Sequence, residues 1–460
     1  MTFNIWRGGE LVDFGKVAEA VKSANADLVG LQESEGNTRR LAEALGWQHV
    51  NERLKIISRF PLIDPPGGNG VYLWVQVAPG QMVAMGNLHL PSDPYGPYLV
   101  RDGSALEEVV ANEQDTRMPM LQENLDVLPG VIAAGFPVLV TGDFNTPSHL
   151  DWTEAASKAI PAVKYPVQWP VTVAMEQAGF RDVYRVAHPD PVARPGITWT
   201  AGYPHPRLRP DETFDRIDLI FATKNVEVLN AEIVGEVGGK DVDIAIAPFP
   251  TDHRGVVATV RLTPVPPPPF VAAENRRVVR GEPIVVRYHA PGGEATDRLA
   301  IMPADGKLPD DVVMSIPPYE ADFHGSVSFG SGLLARGEYA ALLLNEAGAE
   351  VSRSQFWVVE PDAVPALRTS KASYSAGEPI TLEWMNTPAF RWDWVGIYAA
   401  GDRDLYNYLG FLYTRATVDG TATFDADALG EAMLPAGEYE VRLMLDDGYV
   451  WLASTRFSVR

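Results

Sequence analysis

Four short segments, far apart in the chain, each end in residues suited to a divalent metal or a phosphate. They are Asn4 in Met1–Trp6, Glu33 closing Leu28–Glu33, the run Gly142-Asp-Phe-Asn145, and Thr251-Asp-His253. Each follows or ends an apolar run of β-type residues, so each is expected where a strand gives way to a loop. A rigid sheet holding hard oxygen ligands at its strand ends can build a Mg²⁺ site for phosphate chemistry.

Phosphoester hydrolysis needs charge neutralisation on the phosphoryl oxygens, an oriented and activated water, and help for the leaving oxygen. Asn4, Glu33 and Asp252 offer oxygen ligands for Mg²⁺, with Mn²⁺ or Ca²⁺ as substitutes. Asp143 is suited to orienting or deprotonating the water, or, with Asn145, to holding a second ion. Asn145 can donate to the phosphate, and His89 and His253 can each donate to a non-bridging or leaving oxygen. Histidines in such roles need carboxylate partners. Phe214-Asp-Arg-Ile-Asp-Leu219 supplies two: Asp215 is expected to pair with His89, and Asp218 with His253. Substrate-binding candidates are His149, directly after the Asp143 motif, and Tyr95 and Tyr98, which follow His89. An isolated Gly-Asp-x-Asn is by default an Asx turn, and Ser148 or Asp151 equally suits a helix cap. The set, not any member, carries the reading. His49, His188 and His205 read as surface or loop histidines.

The elements that must position these groups are legible as patterns. Phe14, Val17 and Val21 share a helical face, and Leu28–Leu31 reads as a buried strand. Strands are also expected at Trp74–Val77, Met82–Leu90, Val138–Thr141, Ile217–Ala222 and Val256–Leu262. A helix is expected over Glu113–Leu128, stopped by Pro129-Gly130. The run Pro264-Val-Pro-Pro-Pro-Pro269 favours a stiff spacer that cannot enter a central strand. Beyond it the pattern changes to short strands with Gly, Pro and Asp turns, and it repeats. Gly281-Glu-Pro-Ile284, Asp297–Ile301 and Gly337-Glu-Tyr339 return as Gly377-Glu-Pro-Ile380, Asp393–Ile397 and Gly437-Glu-Tyr439, roughly a hundred residues on. The expected division is a catalytic domain at 1–263, a linker at 264–269, and two immunoglobulin-like β-sandwiches at 270–361 and 362–460.

Composition narrows the partners. The 460 residues are 46% hydrophobic and 21% charged, as in ordinary globular chains. There is no cysteine, which excludes disulfides, thiolate metal sites and cysteine nucleophiles. The net charge of −22, without a Lys/Arg-rich stretch, argues against tight binding of duplex nucleic acid. A strand with a metal ligand at position 4 ordinarily has residues ahead of it. A leader, and with it a secreted, periplasmic or cell-surface location, is therefore the expectation, with a cytoplasmic one left open.

The chain resembles the endonuclease/exonuclease/phosphatase superfamily, which includes deoxyribonucleases, abasic-site endonucleases, neutral sphingomyelinases and inositol polyphosphate 5-phosphatases. The matching residues run in the family's order: Asn4 and Trp6, Gln32-Glu33, Ser58-Arg-Phe-Pro61, Asn87-Leu-His89, Gly142-Asp-Phe-Asn145, Asp215-Arg-Ile-Asp218 and Asp252-His253. The resemblance implies an α+β fold, a four-layer α/β/β/α sandwich with the active site at one edge of two mixed sheets, and Mg²⁺ as the usual ion. Thr146-Pro147-Ser148 after Asn145 departs from the inositol 5-phosphatases. The downstream repeats faintly resemble the SKICH domain through Asp297-Arg-Leu-Ala and Asp393–Tyr398.

Together these features predict Mg²⁺-dependent hydrolysis of small or lipid-borne phosphodiesters by in-line water attack. An extracellular nuclease or a sphingomyelinase-type phospholipase C are the enzymatic alternatives. The non-enzymatic one is an adhesion protein on a degenerate scaffold. The sandwiches are candidates for contact with membrane lipid or a cell surface, and the oligomeric state is left open.

Overall fold

The computed structural model describes residues 1–68, 70–202, 207–290, 297–317, 324–430 and 433–460. It divides into two compact units. One comprises Met1–Leu62 and Val71–Pro266; the other comprises Ile63–Gly70 and Pro267–Arg460. Among the described residues no helix is long and apolar enough to cross a membrane.

The first unit is built on two mixed sheets. One has seven strands in the order Val242–Ile246, Glu227–Glu236, Gly255–Arg261, Thr2–Asn4, Leu28–Gln32, Ile56–Ser58 and His49–Asn51. The other runs through Leu73–Ala78, Gln81–His89, Val138–Asp143, Asp218–Thr223 and Phe180–Asp182. Its central strands read as near-continuous apolar runs because both of their faces are covered. Thr2–Asn4 and Leu28–Gln32 pack against Val138–Asp143 of the second sheet. Helices cover the outer faces. Phe14–Ser23, capped by Asp13 through Gly15 N, and Thr38–Leu45 lay Val17, Val21, Leu41 and Ala42 on Phe3, Val29, Leu31 and Ile57.

A polar seam joins the sheets beneath their common edge. Asn87 Oδ1 accepts from Gln32 Nε2 and Thr141 Oγ1, each at 2.8 Å. Its Nδ2 donates to the carbonyls of Leu31 at 2.8 Å and Leu54 at 3.0 Å. All three side chains are buried. Leaving such a group unpaired costs about 1–3 kcal/mol, so the seam fixes how the sheets register. It also explains Gly30, where an added Cβ would stand 2.1 Å from Thr141 Oγ1 and 2.3 Å from Asn87 Oδ1.

One expected helix differs. Two helices occupy the region, Leu106–Thr116 and Met118–Ala133, and Pro129 lies inside the second. Proline removes one backbone bond there, but Leu121, Leu128 and Val131 remain on a buried face that holds the last turn.

The second unit contains the repeat as two strand-rich copies of identical topology. In the first, a three-stranded sheet (Phe270–Ala273, Pro283–His289, His324–Gly330) accompanies a five-stranded one. The latter runs Arg277–Val279, Glu350–Val359, Gly337–Leu344, Arg298–Pro303 and Met314–Ile316. In the second the corresponding strands are Ala366–Thr369, Ile380–Met385 and Gly420–Phe424, with Ser373–Tyr374, Val450–Val459, Gly437–Leu445, Trp394–Ala399 and Gly410–Tyr413. The repeated motifs supply equivalent parts. Ile284 and Ile380 enter the two cores. The Tyr339 and Tyr439 hydroxyls donate four residues upstream, to the carbonyls of Ala335 at 3.1 Å and Pro435 at 2.8 Å.

Candidate active site

Strand register assembles the site. His89 lies opposite Asp143 on the parallel neighbour, and Asp143 lies opposite Asp218 on the antiparallel one. Three functional residues therefore form one row across three adjacent strands of the second sheet, on one face. The first sheet brings Asn4, at the end of Thr2–Asn4, and Glu33, directly after Leu28–Gln32. Thr251–His253 precedes Gly255–Arg261 and is tied in by Thr251 Oγ1, which donates to the Asn4 carbonyl at 3.0 Å. Glu33 and Asn145 adopt left-handed backbone conformations, with φ of 52° and 48°. Such strain is rare outside glycine and clusters at functional sites.

Hydrogen bonds then fix each side chain. Asn4 Oδ1 accepts from Trp6 N at 3.0 Å, and its Nδ2 donates to both Glu33 Oε1 and Asp143 Oδ2 at 3.0 Å. A backbone N–H only donates and a carboxylate only accepts, so the amide has a single orientation. Asp143 Oδ1 accepts from Asn145 N at 2.9 Å. His253 Nδ1 is 3.0 Å from Asp218 Oδ2 and 3.6 Å from Asp143 Oδ2, while His89 Nε2 lies 3.7 Å from the same Asp143 oxygen. Trp199 packs on the His253 ring, with centroids 4.8 Å apart.

The electrostatics are lopsided. Burial pushes Asp252 up to about 7, against the pull of His253 and with added repulsion from Glu33 and Asp143. Burial also raises Asp143, which His253 opposes and Asp218 reinforces. His253 moves the other way from a buried base: burial disfavours its charge, yet Asp218 and Asp143 hold its pKa well above the ordinary histidine value. Among the described residues no Lys or Arg forms an ion pair with Glu33, Asp143, Asp218 or Asp252. Asp218 Oδ1 is buried without a hydrogen-bond partner. Four carboxylates set against the single imidazolium of His253, with no Lys or Arg ion pair among the described residues, leave an excess of negative charge that fits a divalent ion. Asp143, Asp218 and His253 place one ligand-type atom each within 4.8 Å of one another. Asp143 and Asp218 are both engaged with His253. Glu33, held by Asn4 Nδ2 at 3.0 Å and Arg7 N at 3.3 Å, and Asp252 have no imidazole contact among the described residues and are the candidates to hold an ion.

Some expectations need correction. Asp215 does not pair with His89. It accepts from Tyr95 Oη and Trp152 Nε1, each at 3.0 Å, and burial holds it up near 6 against these bonds. An aspartate three residues before Asp218 cannot reach the row that Asp218 joins, and it meets the loop after His89 instead. Tyr95 is accordingly buried and spent on Asp215 rather than lining a substrate pocket. Tyr98 remains half-exposed, its hydroxyl donating to Glu212 Oε1 at 2.6 Å. His149 is buried with both ring nitrogens engaged, meeting Thr172 Oγ1 at 3.0 Å and Glu176 Oε2 at 2.8 Å, so neither is left for a substrate. Asn145 commits one amide N–H to the Leu90 carbonyl at 2.9 Å, leaving the other available. His188 is half-buried and bonded to the Ala231 carbonyl, His49 lies in a strand, and His205 falls outside the described residues.

Sequence reasoning missed Thr198 and Trp199. Thr198 Oγ1 accepts from the Ile217 and Asp218 backbone N–H groups, and Trp199 pairs as an isolated bridge with both Asp215 and His253. Nothing in their local pattern marks them; only the long-range pairing does.

Residues 1–253 match the Endonuclease/Exonuclease/phosphatase family. The chain is a member of that family. Its members hydrolyse phosphoesters, as nucleases and phosphatases do, and in general depend on a divalent metal. An uncharacterized protein of Caenorhabditis elegans is 34% identical over 245 residues, spanning 48% of this chain and 77% of its own. Two solved structures are similar at lower identity. An endonuclease/exonuclease/phosphatase from Beutenbergia cavernae is 18% identical, covers 77% of this chain and 98% of its own, and has a TM-score of 0.35. An AP endonuclease from Archaeoglobus fulgidus is 17% identical, with coverages of 57% and 98% and a TM-score of 0.38. Scores this low decide nothing further about the chain.

Proposed function

We propose that this family member is a Mg²⁺-dependent phosphodiesterase for small or lipid-borne phosphodiesters, with a four-layer catalytic sandwich followed by two immunoglobulin-like domains. One observation carries the reading: a buried Asp143 stands beside an Asp218-held His253, with unneutralised Glu33 and Asp252 nearby. Glu33 and Asp252 would hold the ion, with Asn4 orienting Glu33; when bound, it neutralises charge on the phosphoryl oxygens. Asp143, kept unusually basic by burial, takes the proton of the attacking water. Asn4 and Asn145 fix its two oxygens, which sets the direction of that water. His253, protonated and with Nδ1 spent on Asp218, presents Nε2–H to a non-bridging oxygen. His89, at the end of its strand, stands opposite Asp143 in the row and donates to the leaving oxygen.

The acidic chain supports a small or lipid-borne ester over duplex DNA. The test compares bis(p-nitrophenyl) phosphate, p-nitrophenyl phosphate and supercoiled plasmid with the purified protein and Mg²⁺. The expected result is a diester kcat/KM about tenfold or more above the monoester's, with plasmid left intact. A preference for the monoester, or rapid plasmid nicking, would overturn the assignment.

A further inference from the structure

The duplication in the second unit provides an internal control for what the strand-rich fold itself requires. Ile301 pairs with Met314 in the first copy, and Ile397 with Gly410 in the second, so the two intervening loops have equal length. Their last turns close alike: Val313 N donates to the Ile301 carbonyl at 2.9 Å, and Leu409 N to the Ile397 carbonyl at 2.7 Å. Tyr406 thus occupies the position of Asp310, and Tyr408 that of Val312. On the adjoining hairpin, Leu344 pairs with Glu350 as Met444 pairs with Trp451, so Trp451 stands where the first copy has Glu350.

At two of these positions the first copy carries exposed charged residues, Asp310 and Glu350, the latter ion-paired with Arg353 at 2.9 Å. The fold is therefore satisfied by polar side chains there, and folding does not call for aromatics. Yet in the second copy Tyr406 is 50% exposed and Trp451 46%, alongside Tyr408, Leu409 and Val450. They rest on a rigid support. Buried Trp394 meets Tyr408, Phe411 and Tyr449 edge-on at 5.5–6.0 Å, and Tyr406 lies 4.3 Å from Tyr449. Arg442 is sandwiched between Tyr398 and Trp451, at 4.4 and 4.5 Å, with its charge met by Glu440 at 2.8 Å.

We propose that the loops 402–409 and 446–451 form a surface that docks on a bilayer of choline-headed, zwitterionic lipid. Exposed Tyr and Trp favour the headgroup level, and exposed Leu409 and Val450 gain by entering the acyl boundary. At the surface the loops carry exposed Asp404 and half-buried Asp402 and Asp447 against a single Arg403, with Asp446 buried beneath them, in a chain of net charge −22. Anionic leaflets recruit basic clusters and would repel this surface. A quaternary ammonium is attracted by both the aromatic faces and the carboxylates. Such docking would concentrate the chain on membranes that carry the lipid-borne substrate class of the proposed reaction, and it rests on that reading for its purpose only.

The test sediments the full chain with phosphatidylcholine or phosphatidylglycerol vesicles in EDTA, so that binding is read without turnover and failure of the catalytic reading stays distinguishable. The wild type is expected to pellet with phosphatidylcholine in preference to phosphatidylglycerol. The double variant Tyr406→Asp, Trp451→Glu, which restores the first copy's residues, is expected to lower the bound fraction about tenfold. In a second measurement, brominated phosphatidylcholine quenches wild-type tryptophan emission. Absence of both pelleting and quenching, preference for the anionic vesicles, or full binding by the double variant would overturn the proposal. So would a wild-type dimer that this variant converts to monomer, or binding to a neutral glycan matrix instead of vesicles.

Discussion

Asp143→Asn is expected to lower kcat for phosphodiester hydrolysis by about a hundred- to ten-thousand-fold, the range of a lost general base. The carboxylate is fixed at both oxygens, by Asn145 N at 2.9 Å and Asn4 Nδ2 at 3.0 Å. An amide at this position fills the same space but accepts no proton at neutral pH. It also turns an NH₂ toward one of two donors, so at least one of these contacts is lost. KM should change far less than kcat, because the group acts on the water rather than on the organic part of the substrate. Steady-state kinetics on bis(p-nitrophenyl) phosphate, with melting temperature as a control for folding, measures both. A variant that keeps near wild-type kcat would remove Asp143 from the proton-transfer step.

The second large effect concerns His253 and Asp218 together. His253→Ala and Asp218→Asn should each cost roughly a hundredfold or more in kcat/KM, and the double variant little beyond His253→Ala alone. The non-additivity follows from the 3.0 Å Nδ1 contact: Asp218 acts through the imidazole. The pH profile distinguishes this from a merely structural loss. The folded pKa of His253 lies above its ordinary value, with burial opposing and Asp218 and Asp143 raising it. The stabilisation from this pairing is thus complete below the ordinary histidine pKa, about 6.5, and lost as pH climbs through the raised value. Imidazolium-dependent activity follows the same sense. Asp218→Asn should therefore move the alkaline limb of kcat/KM toward lower pH, and an unmoved limb would sink the assignment.

The site was legible where chemistry and strand pattern coincide. Asn4, Glu33 and Asp143 each end or directly follow a buried strand, and a carboxylate there has few bland explanations, whereas Asp252 sits in the segment ahead of Gly255–Arg261. Asp218 with His253 was legible because one carboxylate begins a strand and the imidazole precedes another. The rest depends on contacts between distant segments, which no local pattern encodes. Asp215 reaches Tyr95 and Trp152 across 120 and 63 residues of sequence. His149 is bonded through both ring nitrogens to Thr172 and Glu176, on a helix that its own surroundings do not announce. The buried face of Met118–Ala133 outweighs the stop signal of Pro129. The grouping of Ile63–Gly70 with the second unit likewise has no local signature.

Hydrolysis of bis(p-nitrophenyl) phosphate by the metal-stripped full chain, titrated with Mg²⁺ in parallel with Glu33→Gln, bears on the whole scheme at once. The scheme calls for wild-type activity abolished by EDTA and regained on Mg²⁺ addition. Glu33→Gln should need a Mg²⁺ concentration raised by about tenfold or more to reach half its maximal rate. Full activity in EDTA, or identical Mg²⁺ curves for the two proteins, would contradict it.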